Sequence, residues 1–261
     1  MASRDYEPVW VWGLPLVPDT FEQTLDRIER LIVAGRPSYF ITANLNYAML
    51  ADADDRLKRV NDQAAFLVAD GMPLVWWSRL GSRRLPERVA GSDLIYALCK
   101  RAAEKGHRVY LLGAAPGVAE QAKTALLSRY PGLQVVGVEC PPFRELSAEE
   151  DYEQVERIRA ARPDLLFVAL SQPKGEFWIA DHVHRLGVPV AVQVGASLDF
   201  VAGRVRRSPV WMRKTGLEWF FRLVQEPRRL ARRYLDNGLF LIRAVFAARF
   251  RRERNPRQRV A

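Results

Sequence analysis

The chain has 261 residues, of which 49% are hydrophobic, and a formal net charge of +10; that is enough for one large domain, or one domain plus an appendage, with a buried core. It contains no stretch of 18 or more apolar residues, so no helix is expected to span a bilayer, and Cys99 and Cys140 match no metal or redox spacing, which fits a reducing, cytoplasmic setting. The charge is uneven: residues 204–261 hold 17 Lys/Arg against 4 Asp/Glu, and residues 1–203 hold 23 against 26, so a slightly acidic body carries a basic tail of the kind that meets nucleic acid or anionic membrane.

Taken in chain order, "MASRDYEPVWVWGLPL" lacks a signal-peptide apolar region and cleavage site. A helical pattern near 21–34 precedes "SYFITA" (38–43), an apolar run that reads as a strand. Thr42 sits at its end and Asn44 opens a helix near 45–60, where small polar side chains can cap the helix or grip a ligand hydroxyl. Inside that helix "ADADDR" (51–56) holds an Asp-x-Asp pair, which in many sugar transferases binds a divalent metal. Residues i and i+2 of a helix point to opposite sides, so Asp52 and Asp54 read as a solvated face.

"FLVA" (66–69) is a second strand and runs directly into Asp70-Gly71. A hairpin would need another strand pattern next, but "MPLVWWSRL" reads as a helix with Pro73 in its first turn. Asp70 therefore stands at a strand exit, either as a turn or cap carboxylate or as a reagent. "LPERVAGSDLIYAL" (85–98) sets Arg88, Gly91 and Asp93 before a helix near 92–105, with Ser92 or Asp93 as candidate N-cap. Arg88 has the fork geometry for a phosphate, the alternative being an exposed arginine with no role.

"RVYLLGA" (108–114) leads through Gly113 and Gly117 into a helix near 116–130. Such glycines let backbone N–H groups approach an anion, although the spacing is not G-x-G-x-x-G and close packing explains them equally well. "LQVVGV" (133–138) is a further strand, and Ser147 with Glu150 forms a capping box for a helix over 147–161. "DLLFVAL" (164–170) precedes Gln172, Lys174 and Glu176 at the start of a helix over 174–186, and "VPVAVQVG" (188–195) precedes Asp199. His182 and His184 meet the same i, i+2 objection, and no zinc site is expected. Alternating strands and helices predict an α/β fold over residues 1–203: a Rossmann-like, mostly parallel sheet with helices on both faces. Ligands bind outside the carboxyl ends of such strands, and six strand ends bearing polar residues or glycine imply one shared cleft.

Residues 204–261 read as a basic, amphipathic helical appendage. Trp219, Phe220, Leu223 and Val224 can share one face, Pro227 starts a new helix, and Leu230, Tyr234, Leu241 and Phe246 continue the apolar pattern. Trp211, Trp219 and Phe220 suit a membrane interface, the alternative being ordinary helix packing. The final "ARFRRERNPRQRVA" is expected to be a disordered basic tail.

The stretches "TANLNYAMLA", "VADGMPLVW", "ERVAGSDL", "VYLLGAAPGVAE", "RPDLLFVALSQPK", "VGASLDFVAGRVRRSPVWM" and "GLEWFFRLVQEPRRLARRY", in this order over about residues 8–235, resemble the WecG/TagA/CpsF bacterial glycosyltransferases. That family acts in enterobacterial common antigen, wall teichoic acid and capsule or exopolysaccharide synthesis. The resemblance implies transfer of a sugar from a UDP-sugar donor, commonly UDP-N-acetylmannosamine or its uronate, to a sugar on a polyprenyl diphosphate at the cytoplasmic membrane face. It implies an inverting, metal-independent displacement with no cofactor. By position, Asp70 matches the proposed base, Arg88 an arginine linked to catalysis, and Thr42 and Asn44 polar residues of the pocket. Gly71, Gly91, Asp93, Gly113, Gln172, Lys174, Glu176 and Asp199 complete the expected substrate-binding set. Arg207, Arg213 and Arg222 are available, with Arg88, to neutralise the leaving diphosphate. The basic appendage matches a segment that seats peripherally on the anionic membrane and helps close the site.

One segment departs from the family pattern. Many members read G-x-P-K-Q-E where this chain has Ser171-Gln172-Pro173-Lys174-Gly175-Glu176, which makes glucose or another hexose more plausible as donor sugar; Gln172 could compensate from a shifted position. Two other functions compete. A nucleic-acid-binding protein would use residues 204–261 alone, with strong salt dependence, whereas the membrane reading expects no nucleic-acid partner. An NAD-dependent oxidoreductase lacks its glycine fingerprint and acidic ribose anchor here. A homo-oligomer is a further possibility, since an exposed apolar face on the appendage can pair with a second copy.

Overall fold

The computed structural model describes residues 5–254. Its first elements are two three-residue strands, β1 (Val9–Val11) and β2 (Leu14–Leu16), paired antiparallel with Val11 opposite Leu14. Sequence reading misses this hairpin. Its two-residue turn is Trp12-Gly13, with φ of 47° and 77°, so a tryptophan occupies a left-handed position that usually signals Asn, Asp or Gly.

Helix α1 (Phe21–Ala34) begins at a Thr20–Gln23 capping box and ends at Gly35 in the left-handed region. Leu25, Ile28 and Ile32 recur at helical spacing and are buried. Strand β3 (Ser38–Ala43) follows, buried on both faces except at Ser38. The single helix expected over 45–60 is two helices, α2 (Leu45–Ala53) and α3 (Asp55–Gln63). Asp54 breaks them apart: its backbone is extended and its side chain accepts the Arg56 N–H at 2.7 Å. Asp54 is thus an N-cap and not a member of a helical solvated face.

Strand β4 (Phe66–Ala69) and helix α4 (Met72–Ser78) follow, with Phe66 stacked on Phe40 of β3 at 4.9 Å. Helix α5 (Gly91–Lys105), strand β5 (Arg108–Gly113), helix α6 (Val118–Arg129), strand β6 (Gln134–Glu139) and helix α7 (Ala148–Ala161) continue the alternation. The Ser147–Glu150 capping box opens α7 as the sequence predicts. Strand β7 (Leu165–Ala169), helix α8 (Lys174–Leu186), strand β8 (Val190–Gln193) and the short helix α9 (Ser197–Val201) complete this part. Sequence reading does not anticipate α9, because five residues carry too little periodicity.

The eight strands form one sheet in the order β1-β2-β4-β3-β8-β7-β5-β6, parallel throughout except for the β1–β2 pair. This is the expected mixed α/β architecture. Burying apolar runs on both faces requires helices above and below, and Leu94, Ile95, Leu98, Val118, Leu126 and Leu198 supply part of that cover. β3 and β8 lie side by side although β3 is followed by β4 on one side and β8 is preceded by β7 on the other. In open α/β sheets the ligand crevice lies at such a reversal, outside the carboxyl ends of the strands.

The chain divides into two compact units, one up to Arg207 and one from Ser208 on. By sequence the first holds 26 Lys/Arg and 26 Asp/Glu, and the second 14 against 4, so the second carries the whole net charge. It consists of α10 (Val210–Lys214), α11 (Glu218–Gln225) and α12 (Pro227–Arg254). Within it the Trp219 ring meets Phe220 and Tyr234 edge-on at 5.9 and 5.8 Å. α12 has 28 residues, about 42 Å of helix, and exposes Leu235, Leu239, Ile242 and Phe246 along one stripe. Among the described residues no helix is long and apolar enough to cross a membrane. The tail expected to be disordered from residue 248 is helical through Arg254; residues 255–261 lie outside the described residues.

Candidate functional site

Asp70 follows β4 directly, its N–H bonded to the Ala43 carbonyl of β3 at 2.8 Å. Gly71 then turns the chain with φ of 153° and starts α4. This sets the half-buried Asp70 side chain against the start of α5, where the Gly91 N–H donates to Asp70 Oδ2 at 3.2 Å. A Cβ on Gly91 would lie 3.3 Å from Thr42 Oγ1 and 3.6 Å from Asp70 Oδ2. Glycine here lets a helix N-terminus, a carboxylate and a hydroxyl converge. The N-terminal end of a helix carries partial positive charge and favours an anion.

Asp93, two residues further, reads from the sequence as a candidate N-cap of α5, but the cap is Ala90 and no side chain caps the helix. The Asp93 carboxylate is engaged by two arginines instead: Arg207 Nη2 reaches Oδ1 at 2.6 Å and Arg88 Nη2 lies 3.5 Å from Oδ2. Arg207 also donates to Ser92 Oγ at 2.9 Å. One carboxylate thus holds two guanidiniums beside the helix start, and the trio is positive overall. Such an arrangement suits a diphosphate, whose oxygens match guanidinium geometry.

On the other side of the crevice the groups are amides gathered around one buried carboxylate, Glu176. Thr42 Oγ1 donates to the Gln193 carbonyl at 3.2 Å, which ties β3 to β8. Asn46 Nδ2 donates to Gln172 Oε1 at 2.8 Å, and Gln172 Nε2 donates to Glu176 Oε1 at 3.0 Å. Glu176 is buried in the first turn of α8, whereas Lys174, the first residue of that helix, is exposed. The Gln193 side chain accepts the Leu170 N–H at 3.3 Å and donates to the Leu170 carbonyl.

The other predicted residues have these places. Asn44 is the N-cap of α2, its Oδ1 accepting the Tyr47 N–H at 3.0 Å. Gly113 ends β5 with φ of 103°, and a Cβ there would meet the Ala169 carbonyl oxygen at 2.6 Å, so close strand packing requires it. Asp199 lies on α9, and its carbonyl accepts the Arg204 N–H at 3.0 Å. Arg213 and Arg222 belong to the second unit, on α10 and α11. Sequence reading did not single out Gln193 or Asn46: one looks like an ordinary strand residue and the other like an ordinary helix residue. His182 bonds to Asp151 at 2.8 Å and stacks on Trp178. Among the described residues no group of three or more His, Cys, Asp or Glu side chains converges as a ligand set for a metal ion.

Two cavities, of about 240 Å³ against α1 and about 380 Å³ between Tyr96, Arg129 and Val201, include none of these residues. Their linings offer no paired base and cation at a strand end, so the strand-tip cluster is the better candidate.

Comparison with known proteins identifies the family. The sequence model of the Glycosyl transferase WecG/TagA/CpsF family matches residues 9–255. An N-acetylglucosaminyldiphosphoundecaprenol N-acetyl-beta-D-mannosaminyltransferase of Bacillus spizizenii is 32% identical over 198 residues, 76% of this chain and 75% of the relative. The protein of the same name from Bacillus subtilis is 30% identical over 223 residues, 85% of each chain. Another from Staphylococcus aureus is 32% identical over 194 residues, 74% of each. The chain belongs to the WecG/TagA/CpsF family and is a glycosyltransferase.

Proposed function

We propose that this enzyme moves a sugar from a UDP-sugar to the sugar of a polyprenyl-diphosphate-linked acceptor in cell-surface polysaccharide synthesis, by an inverting displacement that needs no metal. The donor is N-acetylmannosamine-like, in line with the names of the relatives, or another hexose such as glucose. The observation that carries the reading is the junction at the start of α5, where Asp70 is held by the Gly91 N–H with Arg88, Asp93 and Arg207 beside it. Asp70 takes the proton of the acceptor hydroxyl as that oxygen attacks the anomeric carbon. The bond from that carbon to the diphosphate oxygen breaks on the opposite face, and the electron pair leaves with UDP. Arg88, Arg207 and the α5 N-terminus stabilise the departing charge. Thr42, Asn44 and the α8 side hold the sugars.

The basic second unit seats the enzyme peripherally on the inner face of the membrane, where each Lys/Arg near an anionic surface contributes about 1 kcal/mol. Its apolar stripe faces lipid; pairing with a second copy and binding of nucleic acid are the outcomes that would replace this.

A screen of UDP-sugars with a short-chain lipid diphosphate-N-acetylglucosamine acceptor, read as UDP release, tests the function. Acceptor-dependent release that persists in EDTA is expected. Release from no donor would overturn the reading, and a strict Mg²⁺ requirement would overturn the metal-free mechanism.

A further inference from the structure

We infer that Gln193 and Gly175 form one positioning unit that shapes the donor-sugar side of the site; this rests on the glycosyl-transfer reading above. Gln193 is the last residue of β8 and only 6% exposed. Its side chain bonds both the N–H and the carbonyl of Leu170, the first residue past β7. The backbone ladder between β7 and β8 ends near this point, so the carboxamide continues it by one residue and satisfies main-chain groups that would otherwise need other partners. That fixes the segment from Leu170 to Lys174, which carries Gln172 into the crevice.

The carboxamide can lie there only because residue 175 is glycine. A Cβ on Gly175 would fall within 2.6 Å of Cδ, Nε2 and Oε1 of Gln193, far inside van der Waals contact. The first turn of α8 and the last residue of β8 therefore compete for one volume, and here β8 fills it. Gly175 is also, with Ser171, one of the two positions at which this chain departs from the G-x-P-K-Q-E pattern. The Gln193 carboxamide thus fills the space that a side chain at position 175 would need. Gln172 does not take that role, because its amide joins Asn46 to Glu176. Gln193 also reaches the charged side, since its carbonyl accepts the Thr42 hydroxyl next to Asp70 and Gly91. Being buried and bonded to main chain, Gln193 acts through the segment it holds and not by touching the sugar.

The test compares the parent with Gly175→Gln, Gln193→Gly and the double exchange, by thermal unfolding and by kcat and donor KM across a panel of UDP-sugars. Gly175→Gln alone is expected to lose about 100-fold in kcat/KM, because two side chains then share one space. Gln193→Gly alone is expected to raise donor KM about tenfold with kcat within about threefold, since it loosens the segment and leaves Asp70 in place. The double exchange should regain at least about tenfold over Gly175→Gln and rank the donor sugars differently from the parent. Losses that multiply in the double exchange would overturn the shared unit, and an unchanged donor ranking would overturn its role in sugar selection. If Gly175→Gln does not fold, Gly175→Ala makes the same comparison, placed once in the parent and once in the Gln193→Gly variant: alanine should be tolerated only in the latter. Should the parent release UDP from no donor, the glycosyl-transfer reading fails by itself. The melting temperatures then decide the unit, with recovery in the double supporting it and additive loss overturning it.

Discussion

The two sides of the crevice are built from different chemistry. Around the start of α5 the strand ends present charge, with Asp70 held at the helix N-terminus and Asp93 shared by Arg88 and Arg207. Around the start of α8 they present amides and one buried carboxylate: Asn46 bonds Gln172, which closes on Glu176, and Gln193 closes on Leu170. Charged groups are worth most where charge develops during a reaction, whereas mutually bonded amides hold a shape. The contrast suggests a division of labour, with bond exchange on the α5 side and sugar selection on the α8 side. Thr42 joins the two through its bond to the Gln193 carbonyl.

The sharpest way to break this division is Asp70→Asn. The asparagine oxygen can still accept the Gly91 N–H, so the melting temperature should move by no more than about 2 °C while kcat falls by about 10³-fold. Turnover near the parent level would remove Asp70 as base. Next come Arg88→Met and Arg207→Met, each expected to lower kcat by about 100-fold through weaker support of the leaving diphosphate. Because both meet Asp93, the double variant should lose less than the product of the two. Asn46→Ala, on the amide side, should change kcat by less than about tenfold and act mainly on donor KM and donor ranking. A collapse in kcat there equal to that of Arg88→Met would erase the distinction between the sides.

The two units offer a second contrast, since the first is electrically neutral and the second carries +10. Leu239→Glu with Ile242→Glu breaks the exposed stripe of α12. Binding to vesicles rich in anionic lipid should weaken about tenfold, through lost apolar burial and added repulsion. Turnover of a water-soluble acceptor analogue should stay within about twofold. Unchanged sedimentation with vesicles would remove the stripe as the membrane contact, and a shift from dimer to monomer in the same variant would assign it to a second copy instead.

Much of this arrangement is legible in the sequence, because the elements that carry it are long apolar runs or strongly capped helices. β3 and β4 fall at 38–43 and 66–69, as their runs of apolar residues predict, and α1 falls at 21–34. Asp70 at a strand exit and Gly91 at a helix start are likewise readable. What escapes is set by contacts between distant residues or by unusual local geometry. Arg207 meets Asp93 across 114 residues, and α5 starts at Gly91, which puts Asp93 inside the first turn and not at the cap. Gln193 looks like any strand residue until Gly175 is placed beneath it. The Trp12-Gly13 turn and the break at Asp54 disappear into the apolar and helical patterns around them.

The smallest effect is expected at the far edge of the sheet, which serves as a control for both contrasts. Glu139, the last residue of β6, accepts from Gln154 at 2.8 Å, Arg157 at 2.9 Å and Tyr110 at 3.2 Å. Burial alone would push its carboxyl up, but these hydrogen bonds and the Arg157 charge outweigh burial and hold it below the ordinary carboxylate value. Its folded form therefore prefers the ionised state more than its unfolded form does. The resulting stability is present above the unfolded value of about 4.3 and is lost as pH falls through the lower folded value. Arg157 is half exposed, which limits the gain to roughly 1 kcal/mol at neutral pH. Glu139→Gln should cost about that much in chemical denaturation at pH 7, and the gap from the parent should close towards pH 3. Turnover should stay within about twofold at pH 7, because a residue at the β6 edge takes no part in either side of the crevice. A loss of kcat comparable to that of Arg88→Met would mean that the site extends along the sheet to β6, and the two-sided division would have to be redrawn.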